Sequence, residues 1–389
     1  RGIDLNRNYP QGWWEDEKTG GGSGAYPLSA VETRAEAEFL TNNPNILVAQ
    51  TYHTSGGFTY RAMGTAPHST MDPRDVAVLD RIMGKRYLEI IEEEVPEAWT
   101  VSGPLDEFIA ELRETSNNKY AIMRGYELPR GWRVSYNEVQ DRRYSYGMAA
   151  DWMFKQLGMF AICTELWNSQ KDMRGIPTFT GEEAGTERER ALLKYQDEEF
   201  GGRFFIPWER FNHPELGEGE IGGWIPRYRG GNAFPGETLV EIADKHARFE
   251  LFRAGLLPDI QIVDAEAELL SSSGGTRVVE VTAVVENQGV LATHTGQGAE
   301  LAGNREDVVW LIGDRDRIRF LQGSAFQKIG VLAGAEPIPG YEREFQAGAL
   351  DGNRREVKWL VSIDGDSPLK VVVSSQKGGT AVRELRIGG

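Results

Sequence analysis

The sequence predicts an α/β part followed by a β-rich part, and three observations carry that expectation. Two short apolar runs rich in β-formers, Ile46–Gln50 leading to His53 and Met159–Leu166, alternate with helical patterns. After Pro258 the helical patterns give way to alternating β segments separated by Gly, Asn and Asp turns. At 389 residues the chain is long enough for two domains, each with its own core.

Taken in order, residues 1–28 read as loop, punctuated by Asn, Gly and Pro and carrying the pair Trp13 and Trp14. Ser29 is expected to cap a helix running to about Leu40, with Glu32 completing a capping box. The first strand then ends at His53, followed by small turn-formers. Residues 57–143 form a long mixed excursion with an amphipathic helix near Asp75–Glu94, and excursions of this kind often build binding walls or lids. Met148–Leu157 reads as a helix, Gly158 ends it, and Met159–Leu166 reads as a buried strand with Glu165 at its carboxyl edge. Helices are expected near 185–200 and 237–254. Beyond Pro258, strands are expected at 259–265, 277–285, 308–312, 357–363, 369–375 and 381–387. That spacing suggests a β-sandwich of about 130 residues, with the boundary at 256–258, giving units of 1–256 and 257–389.

Composition is ordinary for a globular protein, 40% hydrophobic and 26% charged. No apolar run reaches the length of about 18 residues needed to span a membrane. The formal net charge of -16 argues against nucleic acid and anionic membranes as partners. The single cysteine, Cys163, excludes an internal disulfide and a cysteine-rich zinc site, and its apolar setting reads as core. The sequence begins at Arg1 without Met or a leader, as a processed end or a partial record would.

Three clusters carry the chemistry if they meet in space: Gly2–Pro10, Tyr52–Ser55, and Tyr144–Trp152 together with Thr164–Leu166. In open α/β sheets functional groups gather beyond the carboxyl ends of strands, which is where His53 and Glu165 lie. His53 is an imidazole suited to a metal. Glu165, at an apolar-lined strand end, has the environment that raises a carboxyl towards general-base use. Arg7 offers a guanidinium fork for a carboxylate, with the Asn6 amide beside it. Taken singly, each has an ordinary structural reading: Arg7 in a surface ion pair, Glu165 paired with a lysine, Tyr144 and Tyr146 as packing aromatics.

As a set, these residues resemble the zinc carboxypeptidase family. Asp4-Leu5-Asn6-Arg7-Asn8 is similar to that family's Asp-x-Asn-Arg-Asn segment, and the step of 14 residues from Asp151 to Glu165 agrees with its spacing. The resemblance implies a mixed sheet with helices on both faces. It implies that His53 is a zinc ligand, that Glu165 is the catalytic glutamate activating a zinc-bound water, and that Asn6 and Arg7 hold the substrate's C-terminal carboxylate. Asp4 would orient a zinc-bound histidine. The family's active-site tyrosine falls by strict spacing on Arg143; Tyr144 is assigned that catalytic and substrate-binding role, with Tyr146 second. Ala150, just before Asp151-Trp152, argues against a preference for basic residues. The family's other zinc ligands come from a His-x-x-Glu pair upstream of the Asn-Arg segment. None of His53, His68, His213, His246 and His294 has Glu three residues later, so the sequence as it stands is expected to be inactive. The implied function is hydrolysis of the last peptide bond of peptides or proteins, with Zn2+ as cofactor and an extracellular or periplasmic location. The alternatives are an amidase on bacterial wall peptides and a non-catalytic peptide- or carbohydrate-binding relative.

Overall fold

The computed structural model describes residues 2–14, 22–54, 58–62, 70–92, 132–134, 146–166, 184–202, 205–224, 237–335 and 352–388. Strands β1 (Val48–Thr54), β2 (Phe58–Arg61), β3 (Trp132–Val134) and β4 (Phe160–Leu166) form a sheet in the order β1-β4-β2-β3. β4 runs parallel to β1 and antiparallel to β2, and β2 runs parallel to β3, so the sheet is mixed. β4 is buried from Phe160 to Thr164, which is why it reads as a continuous apolar run rather than an alternating one.

Helices cover both faces of this sheet. On one face, Ala37 and Leu40 of α1 (Val31–Asn42) and Ala149, Ala150, Trp152 and Met153 of α3 (Ala149–Leu157) pack with Tyr9, Ala161 and Cys163. On the other face lies α2, in which Pro73–Ala77, Val78–Gly84, Lys85–Tyr87 and Leu88–Glu92 run on without a break, with wider π-type turns in the second and fourth stretches. Its Leu79, Met83, Tyr87 and Leu88 pack with Phe249 of α5 (Glu237–Gly255), Phe160 and Ile162. Each such large apolar side chain, fully buried, contributes about 1.5–3 kcal/mol. Helix α4 (Ala184–Phe200) completes the helices of eight or more residues among the described residues.

Arg253 of α5 is fully buried against the same face. It donates to the carbonyls of Ala49 (2.8 Å) and Phe160 (3.1 Å), to Gln50 (3.2 Å) and to Glu250 (2.8 Å). Gln50 donates in turn to Thr164 Oγ1 at 2.8 Å, and the hydroxyls of Thr164 and Thr59 share a hydrogen bond of 2.8 Å. A polar row therefore crosses β1, β4 and β2 beneath α5.

Strands β5 (Ile206–His213) and β6 (Gly217–Gly223) form an exposed hairpin. Beyond α5 come β7 (Ile260–Ser273), β8 (Thr276–Asn287), β9 (Asp307–Ile312), β10 (Ile318–Gln322), β11 (Phe326–Gly330), β12 (Arg354–Asp364), β13 (Leu369–Ser375), β14 (Gly379–Leu385) and β15 (Ile387–Gly388). They make a five-stranded sheet, β10-β12-β8-β7-β15, and a four-stranded sheet, β11-β9-β13-β14. Val279, Val281, Ala283 and Val285 of β8, with Trp359 and Val361 of β12, share one core with Val309, Leu311, Val371 and Val373 of the second sheet. Every second residue points inwards, as two facing sheets require.

One local expectation is corrected. Ser29 does not cap α1: the N-cap position is Ala30, which makes no side-chain cap bond. The Ser29 hydroxyl instead accepts from Asn8 Nδ2 at 3.0 Å, and Asn8 Oδ1 accepts from the Ala30 N–H at 3.1 Å. A residue distant in sequence has taken over part of the cap's work. The amphipathic helix expected near Asp75–Glu94 starts at Pro73, with Asp72 as its N-cap accepting from the Arg74 N–H. Proline at the first helical position and Asp before it are favoured there because that N–H has no intrahelical partner.

Candidate active site

The site lies at the carboxyl ends of β1 and β4. In their parallel register His53 stands opposite Glu165, at the end of a ladder that starts with Val48 opposite Phe160. Paired residues of parallel neighbours project from the same face. His53 and Glu165 therefore share the face of Ala161 and Cys163, the face covered by Tyr9, α1 and α3. Both are half-buried.

The N-terminal segment brings Asp4 and Arg7 to the same place. Burial holds the His53 imidazole below its ordinary value, with Asp4 pulling upwards and Arg7 downwards. Burial raises the Glu165 carboxyl, which Arg7 partly offsets and Asp4 reinforces. A neutral imidazole beside a carboxylate that keeps its proton to higher pH is a pairing suited to ligation and proton transfer.

Residues 4–9 are held by short-range and long-range bonds. Asp4 caps a single 3-10 turn, Leu5–Arg7, by accepting from the Asn6 N–H at 3.0 Å. Arg7 Nη1 donates to the Asn6 carbonyl at 2.8 Å. Asn6 is buried, and its Oδ1 accepts from the Ala149 N–H at 2.9 Å, supplying α3 with the cap that Met148 lacks. That commits the acceptor end of the amide and leaves Nδ2 as its donor end.

Gly147 makes the approach possible. Its φ is +64°, and a Cβ there would lie 2.2 Å from the Arg7 carbonyl oxygen. Tyr9 N–H donates to the Gly147 carbonyl at 3.1 Å, and Gly147 N–H donates to the Gln11 carbonyl at 3.2 Å. The Tyr9 and Trp152 rings stack at 5.6 Å, and Tyr9 Oη donates to Glu36 at 2.5 Å. The described parts of the three clusters singled out in the sequence thus converge.

Asn8 is the residue whose weight the sequence does not disclose. It is fully buried; Nδ2 donates to Ser23 O (2.7 Å), Tyr26 O (3.0 Å) and Ser29, while Oδ1 accepts from Ala30 N–H and from Thr33 Oγ1 (2.7 Å). It staples the loop behind Arg7 to α1. Its place in the Asp-x-Asn-Arg-Asn segment is the one signal for it.

Of the other expected residues, Tyr144 and Arg143 lie outside the described residues. Tyr146 is described, and its ring meets Trp14 edge-on at 4.4 Å. Ala150 is buried in the core between α3 and the sheet. Cys163 is free and buried, and burial pushes its thiol up to about 12, which makes it inert core. Among the described residues no three His, Cys, Asp or Glu side chains come together to hold a metal. A catalytic zinc takes about three protein donors. The described residues offer His53 with Glu165 beside it, so by themselves they do not fit the ion.

Residues 1–184 match the family model described as zinc carboxypeptidase, and residues 259–386 match one described as a domain of unknown function, DUF8731. No curated protein is detectably similar to the chain. Among solved structures, the GH20 exo-β-N-acetylglucosaminidase of Vibrio harveyi with N-acetylglucosamine is similar at 12% identity over 33% of this chain, with a TM-score of 0.15. The chain spans 18% of that enzyme's length. The N-terminal domain of PorA is similar at 11% identity over 34% of this chain and 99% of its own, with a TM-score of 0.17. An uncharacterised β-sandwich protein of Clostridium difficile 630 is similar at 10% identity over 33% of this chain and 85% of its own, with a TM-score of 0.15. Scores this low carry no argument about fold or function.

Proposed function

We propose, from the match of residues 1–184 to the zinc carboxypeptidase family, that the protein is a metallopeptidase that hydrolyses the C-terminal peptide bond of peptides or proteins. The observation that carries the reading is the juxtaposition of His53 and Glu165 at paired strand ends, with Arg7 and Asp4 close enough to shift both. In this reading the Arg7 fork and Asn6 Nδ2 receive the terminal carboxylate. Glu165, kept basic by burial, takes a proton from the attacking water as the new C–O bond forms. It delivers that proton to the amine as the C–N bond breaks. The catalytic and substrate-binding role of the family's tyrosine is assigned to Tyr144, which lies outside the described residues, with Tyr146 as second candidate. His53 is the zinc donor in this reading. Residues 1–256 form the catalytic unit and 257–389 an accessory β-sandwich, in a protein acting outside the cytoplasm.

Arg7→Ala tests the substrate assignment, in a chain that also carries the His-x-x-Glu pair. Losing one member of a buried charge pair costs about 2–5 kcal/mol. The loss in kcat/KM should fall on peptides with a free C-terminus and spare amidated ones. Equal losses on both would favour the amidase reading instead. A second reading, a non-catalytic peptide or carbohydrate binder on the same fold, draws support from the described residues, in which no three metal donors come together. Peptide binding without turnover, in a chain carrying the full donor set, would select it.

A further inference from the structure

The two halves of the chain meet through buried polar contacts gathered at one end of the first sheet. Lys377 is 7% exposed and donates to the carbonyls of Pro44 (2.9 Å) and Ile46 (2.8 Å), directly before β1. Thr295 Oγ1 donates to the Gly158 carbonyl at 3.1 Å, directly before β4. The N–H groups of Gly296 and Gln297 donate to the two oxygens of Asp75 at 2.7 and 2.9 Å, in the first turn of α2. Lys155 of α3 donates to Gln297 Oε1 at 2.7 Å.

The backbones are pressed together at these points. A Cβ on Gly158 would lie 2.5 Å from Gly298 Cα, and one on Gly289 would lie 2.1 Å from the Leu257 carbonyl oxygen. Leu291, from the β-rich half, sits in the apolar core with Leu47, Phe160, Phe249 and Leu256, and its N–H donates to the Leu256 carbonyl at 2.9 Å. A tethered module has no need of such contacts. A buried ammonium loses its hydration and costs free energy unless fixed acceptors replace the water. Lys377 spends its hydrogens on two carbonyls of the other half.

We propose that residues 259–386 are an intramolecular clamp, which pins the amino ends of β1 and β4 and so holds His53 opposite Glu165 at their carboxyl ends. Among the described residues β4 is the strand that pairs with β1, so the β1 register depends on that ladder and on what fixes its start. At about 3.3 Å per residue, His53 lies roughly 20 Å from the pinned end at Leu47. The clamp therefore acts through strand placement and leaves the site end of the sheet free. It concerns where two side chains are held and requires no particular reaction.

Hydrogen exchange on the full chain tests it. Lys377→Met keeps the stem and removes the ammonium. The amides of residues 49–51 and 161–163 should lose protection by about tenfold or more, while those of β8, β12 and β13 keep theirs. Thr295→Val should give a smaller loss in the same strands, strongest at the start of β4. Unchanged protection in β1 and β4, or an equal loss throughout both halves, would overturn the proposal. If Lys377→Met does not fold, the Thr295→Val pattern decides by the same criteria.

Discussion

Gly147→Ala is the sharpest test of how the site is put together. An alanine there has to hold φ near +64°, the left-handed region, which costs about 1–2 kcal/mol for a residue with a Cβ. Its methyl would also sit 2.2 Å from the Arg7 carbonyl oxygen and 2.6 Å from the Arg7 carbonyl carbon. These are backbone atoms, so the overlap is relieved by moving the Arg7 turn by about an ångström. That movement strains the Tyr9-to-Gly147 and Gly147-to-Gln11 backbone bonds, each worth about 1 kcal/mol net. The stiffer unfolded chain returns about 0.4–1 kcal/mol. The expected net loss is about 2–3 kcal/mol, read as a lower urea midpoint at unchanged m-value. In a chain with the full donor set, a displacement of this size next to the chemistry should also cost about a hundredfold in rate. A stability loss below about 0.5 kcal/mol would show that the Arg7 turn yields freely, and the close approach would then not position it.

Three further outcomes are expected. Glu165→Gln, in a chain carrying the His-x-x-Glu pair, should bind peptide as before and lose about 10²–10⁴-fold in kcat; near-normal turnover in the purified variant would remove Glu165 from the chemistry. The 389-residue chain should bind zinc weakly, because one imidazole supplies a third of the usual donors; tight stoichiometric binding by calorimetry, lost in His53→Ala, would place the remaining donors within this sequence. Asp75 is wholly buried, and burial outweighs its two backbone donors and Arg74 to push it up to about 7, with Asp72 adding to the rise. The folded chain then keeps this proton where the unfolded chain has released it. The contribution to stability is full below about pH 4 and is lost as pH rises through about 7. At about 1.4 kcal/mol per pH unit the ceiling is about 4 kcal/mol. Urea midpoints for Asp75→Asn should therefore vary less between pH 4 and 7 than those of the parent, and parallel profiles would refute the assignment.

Much of this was legible from residue pattern. β4 announces itself because a strand buried from Phe160 to Thr164 reads as a nearly continuous apolar run, and α3 because Gly158 ends it in a left-handed turn with φ +66°. The convergence of Asn6, Gly147, His53 and Glu165 was readable as a motif set, though not as geometry. What stayed hidden has physical causes. The hairpin β5–β6 is exposed along nearly all its length, so no buried face imposes an alternation, and Pro207 and four glycines in Gly217–Gly223 argue locally against strand. β10 is likewise mostly exposed, and both it and β11 are short. Ser29 misled because a local capping pattern cannot show that Asn8, distant in sequence, competes for the same groups. The Lys377 and Thr295 contacts join segments too far apart in sequence for any local pattern to register.

The polar row beneath α5 has a consequence for how the chain folds. Gln50 and Thr164, which it joins, are 114 residues apart, and Arg253 is 203 residues from Gln50. Contacts this far apart in sequence carry a loop-closure cost that local helix contacts do not. A strand as short as β1 has few contacts of its own to fix its register. A β1 shifted by one position would bring Thr51 or Ala49 where Arg253 and Thr164 expect the Gln50 amide. The stranded buried groups would cost about 1–3 kcal/mol each. The row thus penalises a misaligned β1, so the register that sets His53 opposite Glu165 is enforced from the opposite face of the sheet.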